Sequence, residues 1–401
     1  TFMGGLGSTS AIFMETSSSG FWTLHCIILV AVFEVNTLFV AARAIPCYLE
    51  LIYGQESWKN SMFRTAVVLG AGYMGGAVTF PLRSRGLEVR LWGTWLDDDI
   101  IDRCAEGPHP RLGIHLPDGV RLFRSDRLAE AVKGADAVFM AVTSEGFAAV
   151  LDRLLDAAGS PPEALLALTK GFVRHGGRVR RISDYALRVF RDRTGGEPGW
   201  VSIGGPVKAV ELARLVPTAT VFAGSHGVTA RCAGMSTGYY RVLTCADVTG
   251  LELCSALKNS YAVAMGICDG LYGEDTGLRH DNLKSFVFAA AVDEMARIVE
   301  ASGGLADTVR GFGGVGDLYV TQASGRNGDL GRLVGGGAAP DDAYRSMLAR
   351  DLVAEGYHTL QLAGGYLQTC GLALEELPLL AALHRVMLEG RDARREIADF
   401  T

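Results

Sequence analysis

This 401-residue chain has no C-x-x-C pair, and none of its eight cysteines (26, 47, 104, 232, 245, 254, 268 and 370) stands at metal-ligand spacing from a histidine. That excludes a zinc ribbon or a thioredoxin-type redox motif, so no metal is expected and the cysteines read as reduced thiols of a cytosolic protein. None has a His or acidic partner at suggestive spacing either, so no covalent nucleophile is proposed. Positive charge is not in surplus: the net charge is −6. Nothing general then favours nucleic acid, and any anion site must be local. No long apolar run is uninterrupted. Cys26 to Phe33 is apolar, but Glu34 and Asn36 break the run before Leu38 to Ala42. A spanning helix needs about 20 mostly apolar residues and does not tolerate a central acid cheaply. No Lys or Arg precedes Arg43, so a secretory signal is not indicated. Residues 1–61 are expected to be an extension outside the catalytic fold, without membrane attachment. No internal repeat or low-complexity tract is evident.

What is abundant is glycine, at 51 residues, within an ordinary globular composition of 49% hydrophobic and 20% charged residues and a mean hydropathy of +0.21. The length allows two or three domains. The most informative glycines follow the apolar run Thr65 to Leu69 and read Gly70-Ala71-Gly72-Tyr73-Met74-Gly75. A strand entering G-x-G-x-x-G and leaving as a helix is the dinucleotide-binding turn. Gly70 allows the tight turn, Gly72 lets backbone approach a pyrophosphate, and Gly75 lets the helix pack on the strand.

Further strands are expected at Glu88 to Trp92, Ala137 to Val142, Ala164 to Leu168 and Val201 to Ile203, with edge strands at Thr220 to Ala223 and Tyr240 to Leu243. Helical patterns between them include Leu128 to Val132. This alternation argues a parallel sheet covered on both faces. From about Asp247 long helical patterns take over, such as Leu253 to Ile267 and Leu283 to Ala301, and glycine-rich loops are expected at 311–316 and 335–337. The organisation read from the sequence is an extension over 1–61, a Rossmann-type α/β domain over 62–246 and an all-helical domain over 247–401.

Four polar segments end apolar elements: Thr169-Lys170-Gly171, Lys258-Asn259, Gly316-Asp317 to Thr321, and Gly325-Arg326-Asn327. Strand ends are where open α/β sheets bind ligands. Lys258, among Ala256, Leu257, Tyr261, Ala262 and Val263, reads equally as a snorkelling side chain or as one held in a cleft. Arginine offers a planar fork for phosphate, and asparagine offers both donors and an acceptor.

In order along the chain these segments carry a resemblance. G-A-G-Y-M-G at 70, L-W-G at 91, T-K-G-F at 169, G-P-V-K-A-V-E-L at 205, P-T-A-T at 217 and A-L-K-N at 256 come first. The run from Asn282 to Met295, G-G-V-G-D-L-Y-V-T at 313, S-G-R-N at 324, A-E-G-Y at 354 and V-M-L-E-G at 386 follow. From Met62 to Phe400 the sequence resembles the NAD(P)-dependent glycerol-3-phosphate dehydrogenases. The resemblance implies Lys258 as the catalytic lysine. It implies a substrate pocket of Lys170, Gly205, Asn259, Asp317, Thr321, Arg326 and Asn327. Cofactor contacts would come from Gly70, Gly72, Tyr73, Met74, Gly75, Lys170, Ala209, Arg326 and Glu355. A small phosphorylated substrate and a cytoplasmic homodimer complete the expectation. Two departures stand out: G-P-[ST]-F-A-K-E is here G-P-V-K-A-V-E, with Val207 and Lys208, and Met74 replaces the common Trp or Tyr.

The chemistry implied is reduction of the ketone of dihydroxyacetone phosphate, with an ammonium stabilising the developing alkoxide and supplying the proton. Burial would lower the pKa of Lys258 and a nearby Asp317 would raise it. Between NAD and NADP, the acids Asp97, Asp98 and Asp99 after the second strand tilt the choice to NAD. Two other readings stay open: a related two-domain dehydrogenase for another phosphorylated polyol or a hydroxy acid, and a cofactor-binding sensor without turnover.

Overall fold

A computed structural model describes residues 63–272, 280–323, 325–350 and 352–400. The extension expected over 1–61, Met62, and Ser324 of the S-G-R-N motif lie outside the described residues. The strand ahead of the glycine turn is β1 (Thr65–Leu69), fully buried from Ala66 onward. Ala66 and Val68 enter the core on one side and Val67 and Leu69 the core on the other. That is the period-2 signature of a strand covered on both faces. The other strands are β2 (Glu88–Trp92), β3 (Val120–Phe123), β4 (Ala137–Met140), β5 (Ala164–Ala167), β6 (Phe172–His175), β7 (Arg178–Arg181), β8 (Gly199–Gly204), β9 (Thr218–Gly224) and β10 (Tyr240–Cys245).

Eight of them form one sheet in the order β10-β9-β8-β5-β4-β1-β2-β3, parallel except between β8 and β9. β1 therefore lies beside β4 where the winding reverses, the position at which ligands sit against strand ends in such sheets. Leu69 and Met140 pair at that point.

Three features depart from the sequence reading. Thr220 to Ala223 belongs to an interior strand, β9, and only β10 of that pair is an edge. β9 runs antiparallel because its connection from β8 holds only the short helix Ala209–Ala213. That is roughly 7.5 Å of helix against about 20 Å of strand, too little to carry the chain back to the starting end. β3 was not anticipated, nor was the β6–β7 hairpin. The hairpin's two-residue turn, Gly176-Gly177, has both φ values positive, at 59° and 73°, as a type I′ turn requires.

Strands end at Cys245, and helices carry the described chain from Val248 to Phe400. The central one, Val248–Leu271, is buried on nearly every side, as a helix apolar around most of its circumference must be. Asp247 caps it by accepting from the Gly250 amide at 2.8 Å. The Arg326–Gly335 helix crosses it at backbone contact, because glycine faces glycine. A β-carbon on Gly331 would lie 2.1 Å from the Val263 carbonyl oxygen, and one on Gly266 would lie 2.2 Å from that of Gly328. The expected loops are thus partly helix: Gly335 closes this helix, and Phe312–Gly316 forms a π-helical turn leading into Asp317–Ala323.

This crossing generates a paired prediction. Gly331→Ala forces the two helices apart and should cost roughly 1–3 kcal/mol, the range for overpacking a tight contact. Gly364→Ala, in a helix with no atom within 4 Å of the new β-carbon, should instead gain about 0.5–1 kcal/mol. Urea unfolding midpoints of the two variants should move in opposite directions.

Candidate active site

The glycine turn has the geometry a dinucleotide needs. Gly70 has φ +108°, and a β-carbon there would meet the Ala141 carbonyl oxygen at 2.7 Å; one on Gly75 would overlap that of Gly70 at 1.9 Å. On Gly72 it would meet only Arg111 Nη1, at 3.5 Å. No side chain caps the Tyr73–Ser84 helix, and no acid occupies its first turn, so its amides can receive a pyrophosphate. Tyr73 is exposed and Met74 half-buried. The residues present fit a nicotinamide dinucleotide.

Two residues brace this turn that the sequence did not reveal. His109 is fully buried. Its Nδ1 accepts from the amides of Arg111 and Leu112 at 3.2 and 3.3 Å. This assigns the proton to Nε2, which donates to the Ala71 carbonyl at 3.0 Å. Burial holds its pKa below the ordinary imidazole value. Arg111 is thereby carried over the turn, with its guanidinium carbon 5.9 Å from the Tyr73 ring centroid. No spacing rule links residue 109 to residue 71; the contact exists only once the loop folds back.

Of the acids after β2, Asp97 turns inward. Its Oδ2 accepts from Thr94 Oγ1 at 2.8 Å, from the Thr94 amide at 3.1 Å and from the Ala71 amide at 3.3 Å. Asp98 accepts from Ser125. Asp97 and Asp98 thus build the loop, and Asp99 alone of the three acids is exposed. Arg90 bonds Glu88 and the carbonyls of Ala131 and Lys133, away from the end of β2.

Deeper in the cleft, five expected residues converge. Asp317, 1% exposed, sits at the first turn of its helix, placed there by the π-turn. Its Oδ1 accepts from Lys258 Nζ, and its Oδ2 from Lys170 Nζ at 3.0 Å and from the Gly205 amide at 3.3 Å. Lys258 Nζ also reaches Thr321 Oγ1 at 2.9 Å, and that hydroxyl donates to the Asp317 carbonyl. Lys258 is buried in the middle of the central helix, so the cleft reading holds over snorkelling. One carboxylate cannot fully compensate two adjacent ammoniums, that of Lys258 buried and that of Lys170 partly so. For Lys258 burial outweighs the attraction of Asp317, and Lys170 adds repulsion, so its pKa falls to about 7. For Lys170 burial is overcome by Asp317, and its pKa rises. Burial would raise Asp317, but the two lysines hold it below the usual carboxylate range.

A second polar group adjoins the first through Asn259. Asn259 Nδ2 donates to Glu355 Oε2 at 3.3 Å, and Asn327 Nδ2 donates to Asn259 Oδ1 at 3.0 Å. Asn327 Oδ1 in turn accepts from the Gly356 amide at 2.9 Å. Arg326, at the start of its helix, lies 4.0 Å from Glu355 and is 42% exposed, open to an incoming anion. Ala209 is half-buried and starts the short helix that packs on Tyr73–Ser84. Val207 packs toward the sheet core, and Lys208 approaches Glu211 at 3.9 Å.

Two family models cover these parts. One, described as NAD-dependent glycerol-3-phosphate dehydrogenase N-terminus, matches residues 65–230, and its C-terminus counterpart matches 247–398. An NADP(+)-dependent glycerol-3-phosphate dehydrogenase of Archaeoglobus fulgidus is 33% identical over 330 residues, 80% of this chain and 95% of that one. A glycerol-3-phosphate dehydrogenase [NAD(P)+] of Syntrophomonas wolfei is 34% identical over 340 residues, 83% and 93% of the two chains. The crystal structure of a glycerol-3-phosphate dehydrogenase from Coxiella burnetii superposes with a TM-score of 0.70 at 26% identity, over 84% of this chain and 98% of that one. With its glycine turn and its helical half both matched, the chain belongs to the NAD-dependent glycerol-3-phosphate dehydrogenase family.

Proposed function

We propose that this chain is an NAD(P)-dependent oxidoreductase that interconverts dihydroxyacetone phosphate and sn-glycerol 3-phosphate. Lys258 is its general acid in reduction and its general base in oxidation. The observation that carries the assignment is a lysine buried in the central helix, sharing one carboxylate with a second lysine and poised near neutral pH. The two-domain division at 246/247, the homodimer and the cytoplasmic setting belong to the same reading, supported by family membership. Among the described residues no helix is long and apolar enough to cross a membrane.

The backbone from Gly70 to Gly75 would hold the pyrophosphate half of the dinucleotide, and Glu355 and Ala209 would border the cleft. The nicotinamide supplies or accepts the hydride. Lys258 Nζ neutralises charge growing on the substrate C2 oxygen and delivers its proton there. Asp317 keeps that nitrogen aimed, with Thr321 as its second partner. Lys170, Asn259 and the Gly205 backbone line the substrate's flank. Arg326, beside Asn327, takes the phosphate through two parallel N–H bonds and so fixes the carbonyl in reach.

The lowered pKa of Lys258 sets a sign in each direction. Reduction needs the protonated amine, so kcat/KM for dihydroxyacetone phosphate should fall as pH rises through about 7. Oxidation needs the free amine, so kcat/KM for glycerol 3-phosphate should rise over the same interval. Lys258→Ala should lower kcat by roughly 10²–10⁴-fold and flatten both profiles, with cofactor affinity little changed. Profiles that keep their inflection in this variant would remove Lys258 from the role.

Arg326→Ala should lower kcat/KM for dihydroxyacetone phosphate by roughly 10²-fold, the worth of two charge-assisted bonds at a half-exposed site. Arg326→Lys should recover only part. Unphosphorylated dihydroxyacetone should be hardly affected by either change; an equal loss on both substrates would place Arg326 in the service of cofactor or fold.

Cofactor choice follows from the inward turn of Asp97 and the position of Arg111. NADPH should be preferred, and Arg111→Ala should weaken NADPH about tenfold more than NADH, the scale of one charge-assisted phosphate contact. Fluorescence titration of both reduced cofactors reads this, and an equal loss would assign Arg111 to the shared pyrophosphate.

A further inference from the structure

The β6–β7 hairpin reads F-V-R-H-G-G-R-V-R-R, four arginines in a ten-residue stretch of a chain whose net charge is −6. Arg181 is committed to Asp184 at 2.7 Å and to Glu252 at 3.4 Å. Among the described residues no carboxylate lies within ion-pair reach of Arg174, Arg178 or Arg180. Beside Arg180 is a cavity of about 470 Å³, lined from the Ile182–Thr194 helix by Asp184, Leu187, Arg188, Arg191 and Asp192. A second cavity, of about 280 Å³, shares Arg180 and Asp184 and adds Arg178, Arg181, Ser302 and Tyr366. Five guanidinium groups line the joined space; Arg181, Arg188 and Arg191 are paired with Asp184 and Glu252, Asp192 and Glu197, which leaves Arg178 and Arg180 as its uncompensated charge among the described residues.

A separate observation concerns Arg180 itself. Its Nε is sealed from solvent and has no hydrogen-bond partner among the described residues. Buried donors are almost always satisfied by protein, ordered water or an ion. That nitrogen lies out of a ligand's reach, but it belongs to a planar fork on a partly exposed side chain that lines both cavities, and such a fork matches the oxygens of a tetrahedral anion. Ser302 and Thr369 spend their hydroxyl protons on the Ile298 and Tyr366 carbonyls, so the arginines are the donors that face the space.

We propose that this trough is a second anion site, which takes the phosphate group of a small soluble molecule between Arg178 and Arg180. It shares no lining residue with the lysine cluster around Asp317. The recess of about 470 Å³ beside Arg180 takes a small ligand, whereas a flat membrane surface would meet only its rim.

Calorimetric titration of inorganic pyrophosphate into the full chain tests this at fixed ionic strength. The double variant Arg178→Ala/Arg180→Ala should lose one equivalent of pyrophosphate, or bind it roughly 10–100-fold more weakly, the worth of one to two guanidinium contacts. Its kcat and KM for dihydroxyacetone phosphate should stay at wild-type values. Arg178→Ala alone, on the exposed hairpin tip, should give a partial loss and serves if the double variant does not fold. Identical isotherms for wild type and variants would overturn the site. A fall in kcat/KM in step with the lost binding would do so too, because the arginines would then serve the catalytic cleft. Phosphatidic acid vesicles distinguish the sources. Co-sedimentation that depends on Arg178 and Arg180, without a pyrophosphate difference, would assign the phosphate to a lipid and overturn a soluble ligand.

Discussion

A single buried carboxylate organises this molecule. Asp317 receives Lys170 from the loop after β5, Lys258 from the central helix and the Gly205 amide from the end of β8. The sheet and the helices therefore meet on one charged group. Removing it would leave the buried Lys258 ammonium uncompensated, a loss of roughly 3–5 kcal/mol for a broken buried pair, with the partly exposed Lys170 beside it. The same economy tunes the chemistry. One negative charge can stabilise only one of two adjacent positive charges in a poorly solvated place, and Lys170 takes the larger share. Lys258 is left with a proton it can give up near pH 7. Fold stability and proton transfer thus draw on the same atoms, and neither can be altered without the other.

Glycine sets the second constraint. The central helix can bring Asn259 beside Glu355 and Asn327 only because its neighbours approach at backbone distance. A β-carbon on Gly356 would lie 2.3 Å from the Asn259 carbonyl oxygen, so the Glu355–Cys370 helix must begin with its first turn pressed on the central helix. Asn327 Oδ1 then finds the Gly356 amide, at a helix start where unpaired donors are expected. The polar row Asn259–Asn327–Glu355 is a consequence of close helix packing as much as of the polar residues themselves.

Much of this was legible in the sequence, and the pattern of success has a physical cause. The glycine turn, β2, the Leu128–Val132 helix and the long helices of the second half follow from local periodicity and local sterics, which a single sequence displays. Lys258, Asp317, Thr321, Lys170 and Gly205 were grouped through resemblance, and their convergence required the fold. The outcome of the contest over the pKa of Lys258 was invisible, since it depends on a third charge, Lys170, 88 positions away. The loss of Asp97 to its own loop was equally hidden: an acid at the right spacing was present, but Thr94 and the Ala71 amide claim it. The Gly176-Gly177 pair is a turn signal in the sequence, but the four-residue strands on either side are too short, and the first too unpatterned, to mark a hairpin. His109 and Arg111 carried no such signal, because a loop that folds back over the turn has no period.

The cleft has a second buried carboxylate, and the contrast between the two explains their positions. Glu252 lies on the central helix six residues before Lys258. It accepts from the Ser183 amide and hydroxyl, from Ser202 Oγ and from Arg181. Burial raises its pKa, against the pull of Arg181, whereas the two lysines depress that of Asp317. Asp317 is matched by surplus cation and stays charged; Glu252 is matched mostly by neutral donors that fix direction. The hairpin runs between them, with Lys170 just before its first strand and Arg181 closing its second. Each end is tied to the central helix: Lys170 through Asp317 to Lys258, and Arg181 directly to Glu252, six residues earlier and so well over a turn away. Two anchors define the position and the rotation of a helix where one would leave it free to turn. Lys258 is itself one of the two points of attachment, so the placement of its nitrogen is inherited from the sheet side of the molecule.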